Sequence, residues 1–167
     1  MKILIPIDFS KEAHNALTLG TEIAEKQKAK IILLNIIEYT GTTSITVTGE
    51  SPKPSTIDEI FTIKLIDSNK KRMNAIVEDL KSKNIEAEAK MEIGNPYKSI
   101  SHLITDQKVD LVIMGSKGAS GIQELLVGSN TEKVVRNANC PVLTVKEKIG
   151  LSKIKNYCHP TFFGLGE

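Results

Sequence analysis

Gly115, Gly118 and Gly128, with Ser129 after them, are the residues of this chain whose types and spacing could do chemistry. They read as glycine, two residues, glycine, nine residues, glycine and a hydroxyl residue, directly after the apolar run Leu111-Val112-Ile113-Met114. Four of the chain's 11 glycines fall between positions 115 and 128, more than a polar turn needs. Glycine is favoured where backbone takes positive φ or comes close to another group. A strand feeding such a loop, followed by a helix opening at Gly-Ser, aims several bare N–H groups at one phosphate. The segment predicts a nucleotide, held through backbone amides.

The remaining polar candidates sort around that loop. Asp8 ends the first apolar run and could accept hydrogen bonds from ribose hydroxyls or an adenine amine; it reads equally as an acid at a helix start beside Ser10. Lys117 and Lys133 could neutralise phosphate charge, Lys117 being the better placed because it lies inside the loop, and both also read as surface lysines. Equipment for hydrolysis is missing. No Gly-x-x-x-x-Gly-Lys-Ser/Thr loop occurs, whose lysine and hydroxyl would serve the β/γ phosphates and magnesium. The turn Ile7-Asp8-Phe9-Ser10 has no glycine, and His14, His102 and His159 form no spaced acid–base or metal pair. Glu124 is the one acid close to the glycine loop that could touch a metal, or it is simply solvated. Useful turnover needs a positioned water and a base, and neither is visible. No catalytic residue and no resident metal site are assigned.

The elements that must position these residues follow from periodicity. Residues 2–8 are a short apolar, β-branched run, a buried strand by pattern. Ser10 reads as N-cap, with Glu12 in the first turn, of a helix to about residue 27 whose stripe is Ala13, Ala16, Leu17, Ile23 and Ala24. Residues 30–38 form a near-continuous apolar strand, the kind a parallel sheet covered on both faces uses. Residues 39–56 differ: nine of the 18 are Ser or Thr, which reads as a long loop, and a lid over the ligand is one role for it. A helical region over 57–84 follows, with a break expected near Asp67-Ser68-Asn69; its basic residues read as a solvated face.

Residues 85–93 alternate apolar and charged, predicting a strand at an edge or only partly covered. Gly94-Asn95-Pro96 turns the chain, and Pro96 suits a first helical position. A helix over 97–107, a strand over 110–114, a helix over 130–138 and a last strand over 141–145 complete the pattern, with a boundary near Lys146. Strands alternating with helices predict an α/β domain with right-handed crossovers and a mainly parallel sheet. In such sheets ligands bind beyond the carboxyl ends of the strands, where strand order reverses. If the first and fourth strands are neighbours, Asp8 and the glycine loop face one crevice.

Composition sets the outer limits. With 167 residues, 40% hydrophobic and 25% charged, the chain is the size and make-up of one soluble globular domain. The net charge of +2 is spread along the chain, so neither nucleic acid nor an anionic membrane is indicated as a partner. No apolar stretch approaches the length of a membrane span, and the proline and acid at positions 6 and 8 come too early for a signal-peptide core. Cys140 and Cys158 lack metal-ligand spacing and read as reduced thiols of a cytoplasmic protein.

Over about 145 residues the chain resembles the universal stress protein family. The resemblance is carried by Pro6-Ile7-Asp8, by Leu33-Leu34-Asn35-Ile36, by Asp110 through Ser116, by Asn139-Cys140-Pro141-Val142-Leu143, and by the glycine series, which matches that of the family's ATP-binding members without departure. It implies an open five-stranded parallel sheet of order 3-2-1-4-5 with helices on both faces, spanning residues 1–146, and a tail at 147–167 outside the resemblance. It implies ATP as ligand, with or without magnesium. Pro6, Ile7 and Asp8 would line the adenosine side, the Ile36 backbone would meet the adenine edge, and Met114 and Gly115 would lie beside the ribose. Gly118, Gly128, Ser129 and Asn130 would hold phosphates, with Lys117 close by, and adenine would be buried between Ile7, Ile36 and Met114. It implies a homodimer through Val142, Leu143 and Val145 on the last strand. The function expected is an ATP-binding stress-response regulatory module with little or no turnover. The alternatives are a slow metal-dependent ATPase using Asp8, and a nucleotide-free dimeric scaffold.

Overall fold

A computed structural model describes residues 1–38, 56–118, 127–146 and 150 of the chain. The expected 39–56 lid (up to residue 55), Glu124, Cys158, His159 and the tail aromatics Tyr157, Phe162 and Phe163 lie outside the described residues.

Nine elements alternate along these residues: β1 (Lys2–Pro6), α1 (Lys11–Gln27), β2 (Lys30–Ile37), α2 (Thr56–Ser82), β3 (Ala87–Ile93), α3 (Pro96–Asp106), β4 (Leu111–Gly115), α4 (Ser129–Asn137) and β5 (Val142–Val145). The strands form one sheet of order β3-β2-β1-β4-β5, and every pairing is parallel. Strand side chains alternate between faces, and each face has its own core. On one, Ile3, Ile5, Ile31, Leu33 and Ile113 pack with Ala16 and Leu19 of α1 and Met73, Val77 and Leu80 of α2. On the other, Leu4, Ile32, Leu34, Val112 and Met114 pack with Ile100, Leu103 and Ile104 of α3 and Val134 of α4. The continuous apolar run in β1 and β2 is explained by this two-sided cover, and Ile3, Leu4 and Ile5 are completely buried.

Local signals act where expected. Ser10 is the N-cap of α1, its Oγ accepting from the Ala13 N–H at 3.1 Å. Asn95 caps α3 in the same way, accepting from the Lys98 N–H at 3.1 Å, and Pro96 stands at the start of that helix. β3 is an edge strand with mostly half-buried residues, as its alternation predicts.

Two boundaries differ from the sequence reading. The ladder of β1 stops at Pro6, so Ile7 and Asp8 are beyond the strand, the Ile7 N–H still donating to the Leu34 carbonyl at 2.8 Å. The helix α2 is unbroken from Thr56 through Asp67-Ser68-Asn69. Asn69 tends to compete with helical backbone because its amide seeks a local partner. Here it has a distant one: buried, it donates to the Asn35 Oδ1 of β2 at 3.1 Å.

Candidate functional site

The strand order reverses between β1 and β4, and a cavity of about 270 Å³ opens beyond their carboxyl ends. All eleven residues singled out as nucleotide contacts line it: Pro6, Ile7, Asp8, Ile36, Met114, Gly115, Lys117, Gly118, Gly128, Ser129 and Asn130. Six further lining residues lacked an individual signal in the sequence: Ala13, Leu34, Glu38, Pro96, Ile100 and Thr131. Leu34 and Ile100 look like ordinary core positions until the sheet turns their face to the cavity. Glu38, just past β2, and Pro96, opening α3, could have been found from the rule that strand ends face the ligand.

The walls differ in chemistry. Leu34, Ile100 and Met114 belong to the α3–α4 core, with Ile36 packed against it, and make the apolar side. Ile7 lines the cavity as well and at 5% exposure also packs in the opposite, α1–α2 core. Leu34 and Ile100 add apolar surface to the same cavity.

The opposite side is polar backbone. The loop after β4 is tied at both ends: the Ser116 N–H donates to the Val145 carbonyl at 2.9 Å, and the Gly128 N–H donates to the Ser116 carbonyl at 2.8 Å. Thr131, buried on the first turn of α4, donates through Oγ1 to the Gly115 carbonyl at 3.0 Å. These bonds bring the opening of α4 against the end of β4. Gly128 is the N-cap of α4 and, having no side chain, offers the helix's opening amides no side-chain cap. Such amides, with the helix dipole behind them, are suited to an anion.

The glycines serve close approach. Gly115, Gly118 and Gly128 do not take positive φ; Gly94 is the one glycine among the described residues that does. A Cβ on Gly115 would come within 2.9 Å of the Glu12 Cβ and 3.0 Å of the Ala13 N, so α1 closes directly onto the strand end. A Cβ on Gly118 would lie 2.8 Å from the Asp8 Oδ2. Asp8 and the glycine loop are therefore in contact. The other carboxylate oxygen of Asp8 accepts from the Ser10 N–H at 3.0 Å, so the residue serves the helix start and faces the loop at once.

Lys117 is half-buried and lines the cavity, whereas Lys133 is exposed on α4 and is absent from the lining. His14 and His102 are exposed on α1 and α3. Cys140 is half-buried beside the α3–α4 core, where burial, with Asp110 adding to it, pushes the thiol up and away from thiolate chemistry. At the far edge, Val142 and Leu143 are half-buried, but Val145 is buried in the chain's own core, which limits its share of any partner contact to backbone. Among the described residues no helix is long and apolar enough to cross a membrane.

A parallel sheet of this order is also found in known proteins. The chain is 30% identical to the universal stress protein MJ0577 of Methanocaldococcus jannaschii over 154 residues, covering 88% of this chain and 95% of that one. The solved structure of MJ0577 superposes with a TM-score of 0.74 at 31% identity, over 89% of this chain and 96% of that one. The universal stress protein YxiE of Bacillus subtilis is 30% identical over 149 residues, 87% of this chain and 98% of its own. A universal stress protein from Archaeoglobus fulgidus, solved in complex with dAMP, shares the fold with a TM-score of 0.59 at 18% identity, over 87% of this chain and 98% of that one. The sequence profile of the universal stress protein family matches residues 1–146, the span that holds the whole sheet and every residue lining the cavity, and the chain belongs to that family.

Proposed function

We propose that this protein is an ATP-binding regulatory module of stress response that holds its ligand at the carboxyl ends of β1 and β4 with little or no turnover. The observation that carries the reading is the meeting of Asp8 with Gly118 at the mouth of a cavity half apolar and half backbone amide. The residues present fit an adenine nucleotide. Leu34, Ile36, Ile100 and Met114 offer an apolar face to a base. Asp8 is an acceptor suited to ribose hydroxyls or the adenine amine, and the Ile36 backbone borders the same wall. Gly128, Ser129 and Asn130 present amides and a hydroxyl to phosphates, with Lys117 adding positive charge. The complex of the Archaeoglobus relative with dAMP supports the same ligand class.

Little turnover is proposed because, among the described residues, no histidine lines the cavity, and the acids that do, Asp8 and Glu38, are both exposed at its rim. A general base works best when its environment tunes its affinity for protons and holds it against the water it activates. We propose no resident metal; magnesium would arrive with the nucleotide. A homodimer through β5 is also proposed, since this strand ends the sheet and no described strand pairs with its outer edge. Light scattering giving twice the chain mass supports it, and monomer mass at 100 micromolar chain (about that concentration) rejects it.

Calorimetry on nucleotide-stripped protein tests the main reading. Saturable binding of ATP or ADP is expected, with phosphate release from bound ATP no faster than a heat-inactivated control. Failure of both nucleotides to bind at millimolar concentration would overturn it.

A further inference from the structure

We propose that α2 is the positioning element for Asp8: Asn69 and Arg72, one turn apart on that helix, hold the two residues that flank the carboxylate. For its effect on ligand the proposal rests on the nucleotide reading above; the contacts themselves do not.

Asp8 stands where regular structure has stopped. β1 ends at Pro6 and α1 begins at Lys11, leaving a short turn that must aim the carboxylate at Gly118. The turn takes an unfavourable shape. Phe9 has φ +64, a left-handed conformation that a bulky residue rarely adopts. Such a residue persists only where its surroundings hold it. The bond from the Ser10 N–H to the Asp8 Oδ1 spans Phe9, so the conformation of Phe9 bears on it directly.

Two contacts from α2 reach the turn. Arg72 places its guanidinium 3.6 Å from the centroid of the Phe9 ring. Asn69 donates through Nδ2 to the Asn35 Oδ1 at 3.1 Å, and Asn35 donates through its own Nδ2 to the Ile7 carbonyl at 2.7 Å. Asn35 is 2% exposed and Asn69 8%, so the relay is shielded from water. Residues three apart share a helix face, and this face of α2 therefore grips Ile7 through Asn35 and Phe9 directly. The relay ends on the Ile7 carbonyl, in the peptide bond that leads into Asp8.

The test is a double-mutant cycle between Arg72 and Asp8, read as ADP affinity by calorimetry. Arg72 is exposed, so its truncation leaves the core intact. Arg72→Ala is expected to weaken ADP about two- to fivefold, the range of an exposed cation–π contact. Arg72→Lys should recover part of that loss. On an Asp8→Ala background Arg72→Ala should change nothing further, because its effect passes through the carboxylate. An equal loss with and without Asp8, or no loss in a wild-type chain that binds ADP, overturns the proposal. Asn69→Ala should couple to Asp8 in the same way; if that variant does not fold, Arg72 still decides.

A readout without nucleotide separates this proposal from the functional reading. The Ser10 amide, protected by the Asp8 carboxylate, should exchange its hydrogen faster in Arg72→Ala, while amides of β2 exchange as in wild type. If wild type binds no ADP, the functional reading falls and this measurement alone decides the clamp. Unchanged exchange at Ser10 overturns it.

Discussion

Gly118 and Gly128 sit in the same loop for different reasons, and substitution separates them. At Gly118 the place of a Cβ is taken by the Asp8 Oδ2, 2.8 Å away, so Gly118→Ala must push the carboxylate aside. At Gly128 the nearest atom to a Cβ is the Lys117 Cα at 3.5 Å, ordinary contact, and φ is −72. Among the described residues nothing takes the place of a Cβ there, and under the proposed function the glycine serves a phosphate drawn up to the amide. Gly128→Ala is expected to cost less than about 1 kcal/mol in urea unfolding, the difference between glycine and alanine at an N-cap. The same variant should weaken ATP about tenfold or more in calorimetry. Equal affinity in wild type and variant would remove Gly128 from the phosphate site. The spacing of these glycines was legible in the sequence, because spacing is all that a linear motif records. Their reason was not: positive φ and close approach both select glycine, and only the neighbours of each Cα decide between them.

Elements show where local chemistry was sufficient and where it was overruled. Caps act within four residues, so Ser10 could be assigned as a helix start from type and spacing, and Pro96 marked the opening of α3 behind the Asn95 cap that the structure shows. Asn95→Ala is expected to destabilise the fold by about 1 kcal/mol, read from the urea midpoint at unchanged slope. The unbroken course of α2 was not legible. Asp67-Ser68-Asn69 has the composition of a break, and the helix continues because Asn69 faces Asn35 across the core. At the β2–β3 edge a charge cluster adds a pH dependence. Lys30 bridges Glu88 at 2.8 Å and Glu86 at 3.2 Å, and these hydrogen bonds, Glu88 first, raise its pKa above the ordinary lysine value. With the folded-state pKa the higher, the stabilisation is complete below about pH 10, the unfolded lysine range, and fades as pH rises through the folded value. Thermal melts should therefore lose stability on that alkaline side more steeply in wild type than in Lys30→Met. Parallel curves would show that the cluster contributes nothing.

For the whole molecule, a ligand that binds the folded chain alone should raise its stability by mass action. At a hundred times the dissociation constant the gain is about 2.7 kcal/mol. For a domain of this size that is an unfolding midpoint about 5–10 °C higher. ATP or ADP should produce that shift in calorimetric scans, and a nucleotide that binds equally to Asp8→Ala would show that the carboxylate plays no part. Both faces of the sheet contribute to this linkage. The α3–α4 core supplies the apolar wall of the cavity, while the α1–α2 core holds Ile7 and, through α2, the turn that carries Asp8.

The sequence by itself determined the alternation of strands and helices, the Ser10 cap and the glycine spacing, while most of the eleven residues that the fold gathers around one cavity came from the family resemblance. Each of the first three is written in residue types a few positions apart, and local rules read such patterns. The resemblance of its motifs to a family supplied the strand order that this structure also has. Only the tertiary structure decided which core each apolar residue serves: Ile7 packs with α1 and α2, while Leu34 and Ile100, from the other core, join it in lining the cavity. It alone brought Asn69 and Arg72 to the turn around Asp8, more than sixty positions away in the chain. Contacts at such separation depend on how layers pack, and no local pattern carries that information.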